Sequence, residues 1–326
     1  ITVKALAPTA LAELPATGYL SPWVAAFIPA NTSVQFLDRS KGFPTASNWT
    51  FEGGTPATST EQNPTVSYAN SGKFGYTLDV SNSVGTSHDF MVKAIQVGGS
   101  QDIWNIGLDE YNKLGTVSLG FYGYYGGTNW MGMTKFAEAF NKPLAPATVD
   151  SVAVYFDQTK TVSPEAPITV SICLADADGN PGTELASASV KASELAYDKD
   201  NIVATKLALD HPAKVNSPFF VVISGIPNAS TESGSDDISI LSMLREKGQK
   251  TTTWHLLEEW DKDNKPTGKY DWFKNTDSPV SLAVTAHLKY DDNTPAAISS
   301  ASAEAQTTEA PAAIYSVDGA RRQALE

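Results

Sequence analysis

The chain of 326 residues carries 23 Lys and Arg against 36 Asp and Glu, a net charge of −13, with 41% hydrophobic and 18% charged residues. Such acidity repels phosphate backbones and anionic lipid, which excludes nucleic acid as a partner, while the hydrophobic share supports packed cores. No apolar run approaches the roughly 20 residues that span a bilayer, and the single cysteine, Cys173, can form neither an intrachain disulfide nor a cysteine–zinc site.

Residues 1–26 read as an N-terminal segment. They start Ile1-Thr2-Val3 with no charged leader, as expected of the mature part of an exported protein. From 27 to 97 the strand signals are dense. Val34 to Ser40 alternates and ends in a polar turn, and Asn48-Trp49-Thr50-Phe51-Glu52-Gly53-Gly54 follows. Ser59 to Tyr68 comes next, with Asn63-Pro64 inside it. In Lys73 to Val80, Phe74, Tyr76, Leu78 and Val80 share one face, the period of a half-buried antiparallel strand. Trp49 and Phe51 share strand phase, which predicts that both are buried.

Taken together these blocks resemble a polycystic-kidney-disease (PKD) domain. The family pattern runs from a strand ending in Asp-x-Ser, through a Trp-x-Phe-Gly-Asp-Gly block and Ser-Thr-x-x-Asn-Pro, to a Gly-x-Tyr strand. This chain departs from it at Glu52-Gly53-Gly54, where Gly-Asp-Gly is usual, and around Lys73 to Tyr76. The resemblance implies an Ig-like β-sandwich without catalytic groups, of the kind used as a spacer or adhesion module in secreted bacterial proteins.

Residues 98–290 are long enough for one larger β-domain. Strands are predicted at Ile168 to Leu174 and Val280 to Tyr290 from alternation, and at Pro218 to Ile223 as a central strand covered on both faces. Asp178-Gly179-Asn180-Pro181-Gly182 predicts a hairpin turn. Thr134 to Asn141 and Ile240 to Lys247 are the two short helix candidates. The fold class expected from this pattern is all-β, an Ig-like sandwich followed by a larger jelly-roll-like sandwich. The stretches Trp104 to Gly107, Gly120 to Trp130 and Val149 to Phe156 resemble the jelly-roll domains that accompany PKD repeats in Bacteroidetes-type surface proteins.

Two aromatic clusters are candidate ligand sites. In Gly120 to Trp130, Tyr122, Tyr124, Tyr125 and Trp130 could stack on sugar rings; the packing alternative places Phe121 and the three tyrosines at core positions of a tight meander. The second cluster is Trp254, Trp260 and Trp272, set among Glu258, Glu259, Asp261 and Asp271, on either a long polar loop between strands or a plain hairpin with exposed tryptophan edges. These charges resist burial, so at least one of the three tryptophans is expected to be exposed. Asp176 and Asp178 mimic the start of a calcium loop, but the twelfth position holds Ser187 and the flanks read as strands, which predicts a turn.

Residues 291–311 are almost entirely small and polar and predict a linker. Residues 312–326, with Ile314-Tyr315-Ser316-Val317-Asp318-Gly319, resemble the start of a C-terminal sorting segment. The sequence shows no nucleophile elbow, zinc-protease helix, phosphate loop or dinucleotide fingerprint, and His88, His211, His255 and His287 lie far apart. A glycosidase would need only two facing carboxylates, for which Glu258, Glu259 and Asp261 are available; solvated carboxylates there are expected to keep ordinary acidity. The expectation is therefore an exported, extracellular or surface-bound, non-catalytic protein without cofactor, binding a glycan or a surface protein through its second domain. The alternative is an accessory region of a larger secreted hydrolase or peptidase.

Overall fold

The computed structural model describes residues 6–14, 24–107, 110–228, 230–232, 234–262 and 265–290. The expected linker at 291–311 and terminal segment at 312–326 lie outside the described residues. The chain is all-β, with short 3₁₀ turns at Tyr111–Lys113, Gly120–Tyr122 and Ala192–Glu194. It forms two compact units, the first ending at Gln101 and taking in Lys289 and Tyr290, the second running from Asp102 to Leu288.

The first unit is an Ig-like sandwich. One sheet orders the strands Ala26–Ile28, Thr86–Val97, Gly72–Ser81, Ala46–Phe51 and Thr58–Ser59. Thr32–Gln35 pairs with Thr65–Tyr68, and Ala12–Glu13 with Leu37–Asp38. Register sets Trp49 opposite Leu78 and Phe51 opposite Tyr76, so the alternating apolar residues of both strands reach the same interior. There Phe36 lies 5.6 Å from Trp49 and 4.7 Å from Phe51 between ring centroids. Trp49 is buried, and its indole Nε1 donates to the Glu61 carbonyl at 3.1 Å.

The second unit is a jelly-roll-like sandwich. Its larger sheet has the order Pro181–Lys191, Pro167–Ala175, Phe219–Ser224, Met133–Phe140, Thr253–Trp260 and Pro266–Lys274. In the other sheet Ala147–Lys160 lies between Val284–Tyr290 and Ala204–Val215, and Asp237–Ile240 pairs along its far end. The unbroken apolar run Phe219 to Ile223 is a central strand, bonded on both sides. Its Phe220 and Val222 join Ala137 and Cys173 in a second apolar cluster on the opposite face of the sheet from Phe219, Val221 and Ile223.

Both helix candidates are strands. Met133–Phe140 occupies the first, and the second holds the end of Asp237–Ile240 and all of Ser242–Leu244, with residues 245–247 outside any strand. The run Lys135-Phe136-Ala137-Glu138-Ala139 suits a helix locally. Hydrogen bonding to Phe219–Ser224 on one side and Thr253–Trp260 on the other overrides that preference, and Phe136, Glu138 and Phe140 then face one way.

Candidate binding site

The segment from Leu119 to Met133 is shaped by close backbone approaches. Gly123 has φ of 95°, and a Cβ there would stand 2.3 Å from the Thr128 carbonyl oxygen; one at Gly127 would stand 2.3 Å from that of Ile238. No other residue fits either position without moving backbone. The buried Asn129 side chain then locks the loop. Its Nδ2 donates to the carbonyls of Gly127 and Met133, both at 3.0 Å, and its Oδ1 accepts from the N–H groups of Met131 and Met133, both at 3.1 Å. Thr128 Oγ1 donates to the Pro227 carbonyl at 3.0 Å, and Asn129 N donates to Asn228 Oδ1 at 2.8 Å.

This frame holds four large apolar side chains in solvent. Phe121 is 91% exposed, Trp130 56%, Tyr122 51% and Met131 45%. The Trp130 N–H donates to the Tyr122 carbonyl at 2.9 Å, which brings the two aromatic positions together, and the Phe121 ring lies 5.9 Å from that of Tyr122. Asn129→Ala is expected to destabilise the loop by about 1–3 kcal/mol, the cost of orphaned buried partners. Chymotrypsin should then cut between 119 and 131 in the variant under conditions where the wild-type loop resists; equal cutting rates would show that Asn129 does not hold it.

The predicted residues divide. Tyr122 and Trp130 are exposed and adjacent. Tyr124 is half-buried and its phenol is bonded to Asp237, which raises its pKa. Tyr125 corrects the expectation: at 3% exposure it is a core residue, packed edge-on against Phe136 and His255, and no ligand can stack on it. Phe121 and Met131 were not among the predicted site residues. Strand phase cannot mark them, because the glycines around them break the alternation.

In the second cluster two of the three tryptophans can be placed. Residues 253–274 form a hairpin within the six-stranded sheet, and Trp254 and Trp272 are half-buried against the Phe220 cluster rather than exposed. Trp254 meets Phe220 at 5.1 Å between centroids, and the Lys274 ammonium sits 4.8 Å from the Trp254 ring centroid, so its surfaces are engaged within the chain. The Trp260 side chain lies outside the described residues. Among the described residues of the hairpin the exposed aromatics are Tyr270 and Phe273.

Asp176 Oδ1 accepts the N–H groups of Asp178 and Asn180, both at 2.9 Å, and so shapes the hairpin turn between Pro167–Ala175 and Pro181–Lys191. Among the described residues no three His, Cys, Asp or Glu side chains converge on a metal-sized site, and no helix is long and apolar enough to cross a membrane.

The strongest pKa shifts fall inside the fold. Burial raises Glu138 to about 8 against three donors: Asn105 Nδ2 at 2.7 Å, Thr252 Oγ1 at 2.5 Å and the Leu282 N–H at 2.9 Å. Thr252 Oγ1 lies 2.6 Å from Ser281 Oγ, which accepts from Arg245 Nη1 at 2.7 Å. Burial works against ionisation of Glu110, but the paired Arg245 guanidinium, with two bonds of 2.7 Å, holds it below the usual carboxylate range. Burial lowers His255 and raises the Cys173 thiol to about 11, so that thiol is a packing group. Glu259 departs from the ordinary acidity expected of it, because a hydrogen bond with Asp271 raises it.

A search among curated proteins found no match. Two solved structures are similar to the chain at low identity. One describes carbohydrate-binding modules of the β-sandwich superfamily and their promiscuous specificity; it has 14% identity, covers 73% of this chain and 100% of that one, and has a TM-score of 0.25. The other is a SusE-like protein with 12% identity, coverage of 68% and 96%, and a TM-score of 0.20. Within the chain, residues 20–90 match the PKD domain.

Proposed function

We propose that this chain is a non-catalytic, exported binding or display protein. Its PKD-bearing unit serves as a spacer, and its second unit binds a glycan through the loop of residues 120–131. One observation carries the reading: Phe121, Tyr122, Trp130 and Met131 stand exposed on a loop locked by Asn129. Exposing that much apolar surface on a rigid frame is costly unless something covers it. Pyranose rings present an apolar C–H face and a hydroxyl rim, which suits aromatic rings beside polar loop groups. The non-catalytic reading rests on where the perturbed groups lie. Glu138 is fully enclosed and His255 half-buried, the raised Glu259 pairs with Asp271 on the hairpin of residues 253–274, and the exposed loop itself carries no acid, base or nucleophile besides its tyrosine phenols.

The test is a glycan array and affinity electrophoresis with the full chain and its Phe121→Ala and Trp130→Ala variants. If ring stacking here matches base–aromatic stacking, each variant loses about 1–3 kcal/mol, or roughly 5- to 150-fold in affinity. Trp272→Ala, by contrast, should lower the unfolding midpoint, since that ring packs on the sheet. Failure to bind across a broad array would refute the glycan reading; loss on Trp272→Ala alone would move the site to the hairpin.

A further inference from the structure

The loop that holds the exposed rings abuts a strand bearing carboxylates. Thr128 N donates to the Ile238 carbonyl at 2.8 Å, which sets the loop against Asp236 and Asp237. Tyr124, two residues from Tyr122, bonds through its phenol to Asp237. Gln158, its amide oriented by the same network, donates to Asp237 Oδ1 at 2.9 Å and Oδ2 at 2.7 Å. Asp157 accepts from the Thr116 hydroxyl, which also lies 3.1 Å from Ser239 Oγ. Asp236 accepts from Thr161 Oγ1 at 2.7 Å, Val162 N at 2.9 Å and Ser163 Oγ at 3.0 Å. Burial opposes its ionisation, but these donors keep its pKa low, so it stays charged. Against the three carboxylates stands one cation on the paired strands, Lys160, opposite Asp237.

This neighbourhood is thus rich in acceptors, and its donors are already committed to them. We infer that the loop of residues 120–131 selects neutral, hydroxyl-rich glycans and rejects polyanionic ones, with Asp157 and Asp237 as the discriminating residues. The inference rests on the glycan reading above. Stacking on Phe121, Tyr122 and Trp130 is indifferent to charge, so the rings alone would not sort one class from the other. Ligand hydroxyls can donate to free lone pairs of the carboxylates. A uronate or sulfate would bring a second negative charge to the same place, on a chain whose net charge is already −13.

The experiment is affinity electrophoresis of the full chain in gels containing mixed-linkage β-glucan, xyloglucan or galactomannan, against polygalacturonate, alginate or chondroitin sulfate, at 20 and 300 mM salt. Retardation is expected in at least one neutral polymer and little changed by salt, with at least tenfold weaker retention in every anionic one at 20 mM. The Asp157→Asn/Asp237→Asn double variant, checked for an unchanged unfolding midpoint, should narrow that ratio at least fivefold. Anionic binding by the wild type equal to or tighter than neutral binding overturns the inference while leaving the glycan reading intact. So does a double variant that is folded but keeps the ratio. No retardation in any polymer removes both.

Discussion

Glu138→Ala is expected to destabilise the second unit by about 2–4 kcal/mol, read as a lower urea midpoint of the full chain. The side chain sits in the middle of Met133–Phe140 and is fully buried. When it is truncated, Asn105 Nδ2 keeps its bond to the Ala139 carbonyl at 2.7 Å, and Thr252 keeps Ser281. The loss falls on the Leu282 N–H and on the cavity left behind. Glu138→Gln retains an acceptor of the same shape and should cost less than half as much.

The same residue sets a pH dependence. Burial raises the carboxyl from 4.5 to about 8, so between those values the folded chain binds a proton that the unfolded chain has lost. Its contribution is fully present below about 4.5 and is lost as pH rises through about 8. Relative to Glu138→Gln, wild-type stability should fall by up to about 1.4 kcal/mol per pH unit across that window and level off above it. Parallel pH profiles for the two proteins would show that Glu138 ionises normally.

Trp49→Ala should cost the first unit about 3–5 kcal/mol. The indole fills the centre of the sandwich between Phe36, Phe51 and Tyr76, at centroid distances of 5.6, 5.7 and 6.3 Å, and its N–H is satisfied by Glu61. Trp49→Phe keeps a ring but drops that hydrogen bond and part of the volume, and should fall in between. The expected signature is a lower urea midpoint of the full chain. A loss below about 1 kcal/mol would mean that the interior closes over the missing indole.

Much of this architecture is legible without coordinates. The period-2 alternation of Lys73 to Val80 and the shared phase of Trp49 and Phe51 mark the interior of the first sandwich, because a strand sends alternate side chains to opposite faces whatever it pairs with. The unbroken run at Phe219 to Ile223 marks a central strand for the converse reason, since both of its faces are covered. Asp176 to Gly182 encodes its turn locally, through an Asx side chain and a glycine at positive φ. Pairing decided the rest. Lys135 to Ala139 is a strand only because two neighbours bond to it. Tyr124 and Tyr125 are adjacent in sequence, yet one meets Asp237 and the other Phe136 and His255, since the short strand they form has two faces. The charges around Trp254, Trp260 and Trp272 call for at least one of the three to be exposed, and which one is not legible locally: cross-strand packing on Phe220 and Ala137 half-buries Trp254 and Trp272. Phe121 and Trp130 emerge together because Asn129 and two glycines fold the chain back on itself, and bonds from Thr128 and Asn129 to Pro227 and Asn228, 99 positions away, fix the folded loop where no local window reaches.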